Sequence, residues 1–335
     1  MSDSRRVATV RDVAKLAGVS PGTVSKALNG VGQLSAETRA KVQEAAAALD
    51  FQPNHTARSL ASGRTFTVGV ITSDSFGRFT IPVMLGIEDS LAAGQVSTML
   101  CDGRGDPVRE HQLMERLIGR QVDGIVVTGR RRDPRQSLGR VPVPVVYVLS
   151  ESLDPDDLSI TYDDEHGTQV AAHHLLSTGR RHLAYVGGPE RHLASRLRRI
   201  GVERALAAEG LELDPNLAMY GQWSESWGRS AATIVLRSGR SVDGIVCASD
   251  QIARGVLDGL REHDVHVPDD IAVVGFDNWD VMVQGARPLL TTVDPHLESL
   301  GREAATRLLA AIQGDQPIEG GMVTRPCELV IRDSA

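Results

Sequence analysis

The chain has 335 residues, with 36 basic and 43 acidic side chains and a hydrophobic fraction of 41%, a length that suggests two or three domains. This composition excludes wholesale disorder, and the absence of any run of about 18 apolar residues excludes a helical membrane span. The net charge of −7 hides an asymmetry: residues 1–64 carry +4 and the remainder −11, so a basic head on an acidic body points to an anionic partner for the head alone.

The head reads as three helices. Thr9-Val10-Arg11-Asp12 has the form of a capping box, and Val13, Leu16 and Ala17 follow at the spacing of one inward helix face. Gly18 ends that helix. Ser20-Pro21 starts a second, with Ser as N-cap and Pro where its missing N–H costs nothing, and Val24, Ala27 and Leu28 as its apolar face. Ser35 caps a third helix running to Leu49, with Val42, Ala45, Ala46 and Leu49 inward. Two short helices about a Gly-containing turn make a helix-turn-helix, whose second helix reads the major groove. Its outward residues are Pro21, Gly22, Thr23, Ser25, Lys26 and Asn29. Lys26 suits guanine acceptors and Thr23 or Ser25 suits phosphate. Thr9, Val10, Ser20, Thr38 and Asn54 complete the candidate DNA-contact set. The plainer alternative is a trihelical packing module without a DNA role, which the +4 charge disfavours.

These residues carry a family resemblance. TVRDVAKLAGVSPGTVSKALNG, followed by SAETRAKVQEAAAALDFQPNHTARSLASGRT, resembles the head of the lactose-repressor (LacI-type) family of bacterial regulators over residues 9–64 without a gap. The resemblance implies a DNA-binding domain over 1–52 and a hinge helix or linker over 53–64 that folds on operator DNA. It also implies that paired Leu60 side chains, with Ala57 beside them, wedge into the minor groove of a bent duplex. One departure is that many family members place larger polar side chains where Pro21 and Gly22 stand. Neither residue bonds a base through its side chain, so direct readout leans on Lys26 and on backbone fit.

From residue 65 the pattern changes. Short apolar runs at Thr67–Ile71, Val96–Leu100, Val122–Val127, Val143–Leu149, Leu183–Val186, Val242–Val246 and Ile271–Val274 alternate with helical stretches, which predicts parallel sheets in β-α-β order. VDGIV occurs at 122–126 and again at 242–246, an internal repeat that suggests two related halves. With HLAYVGGP, CASDQIARGVL, IAVVGFDN, PLLTTVDP and LVIRDS, this body resembles the same family's effector core, which is similar to type I periplasmic sugar-binding proteins. The fold implied is an all-α helix-turn-helix head plus an α/β core of two doubly wound parallel-sheet subdomains within 65–335. The N-subdomain is expected over about 65–161 and 294–322, and the C-subdomain over about 162–291 and 326–335. The chain then crosses near Tyr162, Thr291–Pro295 and Gly321–Pro326, and the ligand lies in the cleft outside the carboxyl ends of the strands.

Residues at those strand ends are the candidate effector set. They are Asp74, Ser75, Phe76 and Phe79 after the first strand, Ser150, then Arg198, Trp223, Asp250, Phe276 and Asp277, with Trp227 and Trp279 nearby. A sugar needs carboxylates and a guanidinium for its hydroxyls and a flat ring for its apolar face. The resemblance assigns Arg198, Trp223, Asp250 and Asp277 to the effector. Each also has a plainer reading: Arg198 as a helix-face salt bridge, Asp250 as a helix cap, Trp223 as subdomain core. Arg130-Arg131-Arg132 reads as a second anion site or, preferably, a solvated loop. Asp163-Asp164-Glu165 suits a helix N-terminus. His173 and His174 face different ways on a helix, and Cys101, Cys247 and Cys327 lie far apart without a CxxC, so no metal is expected. No GxGxxG, Walker loop or GxSxG occurs, so neither a cofactor nor enzyme activity is expected.

The sequence therefore reads as a ligand-responsive, sequence-specific transcriptional regulator, a repressor of carbohydrate uptake or catabolism genes. Double-stranded operator DNA, a sugar or sugar derivative, and a second copy of the chain are its expected partners. A homodimer places two reading helices on a palindromic operator, and the effector either releases the protein from it or drives it there. The chain ends at Ala335 directly after LVIRDS, leaving no room for a further tetramer-forming helix. The N-terminus lacks a signal peptide's apolar core, which places the protein in the cytoplasm, on the nucleoid when bound to DNA. The alternative is a sugar-binding protein without a regulatory role, against which the basic head counts; an enzyme on a doubly wound fold is a third reading. Leu60→Ala is expected to weaken operator binding roughly tenfold or more while leaving effector affinity unchanged, a loss on the scale of unstacking one base step. Fluorescence anisotropy on operator DNA checks it, and unchanged DNA affinity would remove Leu60 from the hinge wedge.

Overall fold

A computed structural model describes residues 8–28, 33–51, 64–75, 77–92 and 96–335. The chain divides into two compact units, Met1–Thr65 and Phe66–Ala335. The first contains helices α1 (Val10–Ala17), α2 (Pro21–Leu28) and α3 (Ala36–Ala48). Thr9 and Asp12 form the reciprocal capping box: the Asp12 N–H donates to Thr9 Oγ1 at 3.4 Å and the Thr9 N–H to Asp12 Oδ2 at 2.9 Å. Gly18 follows at φ +67°, a left-handed C-cap that a residue without Cβ adopts freely. Ser20 Oγ accepts from the Thr23 N–H at 3.1 Å, and Ser35 Oγ from the Thr38 N–H at 3.1 Å, so the next two helices also start at hydroxyl caps.

Val13, Ala14, Val24, Ala27, Val42, Ala45 and Ala46 close the small core of this unit, with Leu28 and Leu49 partly buried against it. Leu16 departs from the sequence reading: it is 56% exposed. The buried face of α1 is centred on Val13, Ala14 and Ala17, and at 100° per residue Leu16 falls on its outer edge.

The second unit alternates strands and helices. In its first part these are β1 (Thr67–Thr72), α4 (Thr80–Ala92), β2 (Ser97–Asp102), α5 (Pro107–Gly119), β3 (Gly124–Thr128), β4 (Val145–Val148) and β5 (Leu158–Tyr162). The chain continues with α6 (Asp164–Ser177), β6 (Leu183–Gly187), α7 (Leu193–Ala208), β7 (Ala218–Tyr220), α8 (Glu225–Arg237), β8 (Gly244–Cys247), α9 (Asp250–Arg261), β9 (Ala272–Phe276), α10 (Asp280–Gly285) and β10 (Thr291–Asp294). It closes with α11 (Leu297–Gln313), β11 (Gly321–Arg325) and β12 (Glu328–Val330). None of the described helices is long and apolar enough to cross a membrane.

Each of the seven apolar runs seen in the sequence overlaps a strand. The five strands without such a run are β5, β7, β10, β11 and β12; β7 and β12 have only three residues, and β5, β10 and β11 mix serine, threonine, aspartate or arginine with their apolar positions.

Two six-stranded sheets result, ordered β11-β5-β4-β3-β1-β2 and β12-β10-β9-β8-β6-β7. The first is parallel throughout; in the second only β12 is antiparallel, against β10. Both lobes repeat one order, β2-β1-β3-β4-β5 and β7-β6-β8-β9-β10, and the VDGIV repeat falls on the equivalent strands β3 and β8. Its aspartate has one task in both halves. Asp123 Oδ2 accepts the Phe66 N–H at 2.6 Å ahead of β1, and Asp243 accepts the N–H groups of Arg181 and His182, each at 2.9 Å, ahead of β6.

The chain passes between lobes after Tyr162, after Asp294 and after Arg325. The lobe boundaries thus differ by a few residues from the sequence reading. Asp294 pairs within the second sheet, through Glu328, and residues 323–325 pair within the first.

Glycines set the helix spacing. A methyl on Gly86 of α4 would overlap the Glu298 carbonyl of α11, and one on Gly301 would overlap that of Val83; Gly228 and Gly255 do the same between α8 and α9. Gly86→Ala is therefore expected to lower unfolding free energy by about 1–3 kcal/mol, as overpacking does in tight cores, read by urea denaturation. A neutral result would contradict the close approach of α4 and α11.

Candidate functional site

The first unit offers one face of α2. Val24 and Ala27 are buried beneath it, while Pro21, Gly22, Ser25 and Lys26 are exposed. Thr23 is half-buried, its Oγ1 3.0 Å from Ser20 Oγ, so this hydroxyl pair sits at the N-terminus of the helix, where the backbone favours anions. Thr9 and Val10 are exposed at the start of α1, the Thr9 hydroxyl donating to Asp12 at 2.6 Å. Thr38 is half-buried with its Oγ1 2.8 Å from Ser35 Oγ. Asn29, Asn54, Ala57 and Leu60 lie outside the described residues, as does Phe76 of the effector set.

In the second unit a cavity of about 530 Å3 lies between the lobes, within the roughly 300–1,000 Å3 usual for small-molecule sites. Its position follows from topology. Strand order reverses beside β1 and β3 in one sheet and beside β6 and β8 in the other, and the cavity is lined from the carboxyl ends of these strands. Asp74, Arg78 and Phe79 follow β1, Arg130 to Asp133 follow β3, His192 and Arg198 follow β6, and Ser249 and Gln251 follow β8. Tyr162, Trp223, Asp277 and Trp279 complete the wall.

Arg198 organises the floor. Its Nε donates to Asp164 Oδ1 at 2.7 Å, its Nη2 to the Tyr162 hydroxyl at 3.1 Å, and its Nη1 to the Ala248 carbonyl. The guanidinium lies 3.5 Å above the centre of the Phe276 ring. Arg132 reaches the same carboxylate from the first lobe, its Nε 3.1 Å from Asp164 Oδ2. Burial pushes the Tyr162 phenol up to about 12, so it stays protonated.

Arg78 spans the cleft to pair with Asp277, and stacks between Phe79 and Trp279 with its guanidinium carbon 4.8 and 4.5 Å from the ring centres. Burial lowers its pKa to about 10, against the opposing pull of Asp250. Asp277 has φ +110° and Asn278 φ +47°. Such left-handed backbone costs non-glycine residues about 1–3 kcal/mol and gathers at functional sites.

Opposite them, Trp223 Nε1–H donates to His192 Nδ1 at 2.8 Å, which puts the imidazole proton on Nε2; burial, reinforced by Arg131, lowers the His192 pKa and keeps the ring neutral. Trp223 lies flat over Gly188, where a methyl would overlap its ring.

The structure thus brings Asp74, Phe79, Arg198, Trp223 and Asp277 together on the cavity wall. Asp74 also caps α4, accepting the N–H groups of Phe79 and Thr80 at 2.8 and 3.1 Å. Other candidates lie elsewhere. Asp250 is fully buried behind the wall, holding the Trp279 N–H at 2.7 Å and the Thr292 hydroxyl; it positions the Trp279 backbone instead of lining the cavity. Ser249, not Asp250, is the N-cap of α9. Phe276 is fully buried beneath Arg198, Ser150 is buried off the wall, and Ser75 is exposed and bonded to Asp102. Trp227 donates to the Gly187 carbonyl at 2.9 Å and serves packing.

The Arg130-Arg131-Arg132 segment is corrected from solvated loop to cavity wall. Arg78, His192 and Gln251 escaped the sequence reading. For Arg78 the available signal was a lone guanidinium among aromatics directly after the first strand. Among the described residues no cluster of three His, Cys, Asp or Glu is arranged for a metal.

A helix-turn-helix and a two-lobed body with a cavity between its lobes, carried on one chain, define a ligand-responsive DNA-binding regulator. Comparison with known proteins agrees. Residues 9–54 match the model for bacterial regulatory proteins of the lacI family, and residues 172–335 that for a periplasmic binding protein-like domain. The chain is 33% identical to the HTH-type transcriptional regulator CelR of Thermobifida fusca, over 98% of this chain and 97% of that protein. It is 31% identical to catabolite control protein A of Priestia megaterium, over 97% and 98%. Among solved structures it resembles a CelR–cellobiose complex (31% identity, 98% and 100% coverage, TM-score 0.69) and the Lac repressor dimer bound to operator and the anti-inducer ONPF (27%, 98% and 99%, 0.74). The chain belongs to the LacI family of bacterial transcriptional regulators.

Asp250 generates a pH dependence. Burial raises its pKa to about 7, above the unfolded value near 3.9, so the folded state holds this proton more tightly and the carboxyl's contribution to stability falls as pH rises from about 4 to about 7. Urea midpoints measured across this range are expected to show a downward component that Asp250→Asn removes; an identical profile in the variant would contradict it.

Proposed function

We propose that the chain is a homodimeric repressor that binds a palindromic operator, and that a sugar or sugar derivative in the interlobe cavity changes its operator affinity. The observation that carries this reading is the cavity wall: a guanidinium–carboxylate pair (Arg198 and Asp277) for hydroxyls, facing an indole (Trp223) fixed by His192. Polar pairs with an adjacent flat ring suit a ligand with a hydroxylated rim and apolar ring faces. The binding of cellobiose by the CelR relative and of ONPF by the Lac repressor supports the same class of ligand here.

On the DNA side, Lys26 donates to base acceptors while Ser20, Thr23, Ser25 and the N-terminus of α2 hold phosphates. Thr9, Val10, Thr38, Asn29 and Asn54 frame that contact, and Leu60 with Ala57 wedges the minor groove. Two protomers are needed to present two reading helices to a two-fold operator. The protein works in the cytoplasm, on the nucleoid when bound. The cavity binds and releases its ligand unchanged, in keeping with relatives that are regulators.

A titration of the chain's own upstream DNA by anisotropy, repeated with a panel of sugars and over a range of salt, tests this reading; no sequence-specific binding at any salt would overturn it. Asp277→Ala is expected to abolish the effector response, read as the change in operator affinity on adding sugar in the same titration. A normal response in this variant would remove Asp277 from the site.

A further inference from the structure

The charge of the cavity wall is unevenly satisfied. Its carboxylates are engaged: Asp74 by two backbone N–H groups, Asp133 by the Leu193 N–H at 2.8 Å, and Asp277 by Arg78. Asp277 Oδ1, which lacks a hydrogen bond among the described residues, has Arg198 Nη1 at 3.7 Å. The donors are not matched in this way. Arg130 and Arg131, both exposed on the wall, form no ion pair among the described residues. The buried nitrogens Arg78 Nε and His192 Nε2 have no hydrogen-bond partner there either. Unpartnered buried donors are costly, and an anionic acceptor satisfies them with stronger bonds than a neutral hydroxyl does.

We propose that the cavity is built for a hydroxyl-rich ligand bearing an oxyanion, a sugar acid or a sugar phosphate, whose charged group is received by Arg78, Arg130 and Arg131. The ring of such a ligand rests against Trp223. Arg78 is the pivotal group because its present partner, Asp277, lies on the opposite lobe, so an incoming oxyanion competes with that carboxylate and touches the contact that joins the lobes. Its pKa, lowered for a guanidinium chiefly by burial, fits a charge that the carboxylates around it compensate incompletely. This inference rests on the reading of the cavity as the effector site and narrows its chemistry.

Calorimetric titration of the full-length protein with matched probes tests it: D-glucose against D-glucuronate and D-glucose 6-phosphate, and cellobiose against cellobionate. At least one anion is expected to bind about tenfold or more tightly than its neutral counterpart, the scale of one or two charge-assisted bonds. The carboxylate and phosphate arms tell the two anions apart. The preference is expected to shrink with added salt and in the double variant Arg130→Gln, Arg131→Gln. A series in which no anion exceeds its neutral partner, including one in which nothing binds, overturns the proposal. Neutral sugars that bind and alter operator affinity while the anions do not would sink it too, yet leave the effector reading standing. An anion that binds tightly without altering operator affinity would uphold the preference and remove the regulatory role.

Discussion

The body of the protein depends on how it buries charge. Arg78, Arg132 and Arg198 sit at the seam between two lobes, and an isolated buried guanidinium there would cost several kcal/mol. Asp164 and Asp277 are buried with them. Asp164 follows directly on the crossing after β5, at the start of α6, and takes Arg132 from the first lobe and Arg198 from the second on its two oxygens. Asp277, lifted by its left-handed backbone, meets Arg198 in its own lobe and Arg78 across the cleft. The lobes are thus joined at the hinge and again at the rim by charges that cannot part without being resolvated.

That arrangement supplies what ligand control requires. A ligand shifts a conformational equilibrium only by its differential affinity for the two states, and a cavity whose wall contains the interlobe contacts gives a ligand such a difference. Coupling of this kind is reciprocal, so operator binding changes effector affinity by the same factor as the effector changes operator affinity. The repeat of one strand order in both lobes has a related consequence. Both switch points face one space, and loops from two sheets converge on a single ligand.

Much of this was legible in the sequence, for reasons that can be named. Hydroxyl caps at Thr9, Ser20 and Ser35, and the glycine after α1, are local signals, and the head followed from them. The VDGIV repeat marked equivalent strands because its aspartate and glycine do the same backbone work twice. Trp223 and Asp277 stood out because each closely follows a strand, and Arg198, which lies within α7, through the family resemblance. Asp250 misled because a strand-end carboxylate looks the same whether it faces a cavity or supports the loop behind it. Arg132 misled because three consecutive arginines look solvated until Asp164, far away in sequence, is folded against one of them. Arg78 and His192 were missed because their partners Asp277 and Trp223 come from other elements, and no local pattern encodes such pairs. Leu16 shows the limit of spacing rules: it is three residues from Val13 yet lies on the wrong side of the buried stripe.

Charges reaching across the cleft hold the lobes together. A double-mutant cycle on Arg78→Ala and Asp277→Ala, read as unfolding free energy of the ligand-free protein, measures this directly. Non-additivity of about 1 kcal/mol or more is expected, the double variant losing less than the two single variants combined. Additivity within about 0.3–0.5 kcal/mol would show that the two residues act independently and would contradict the claim.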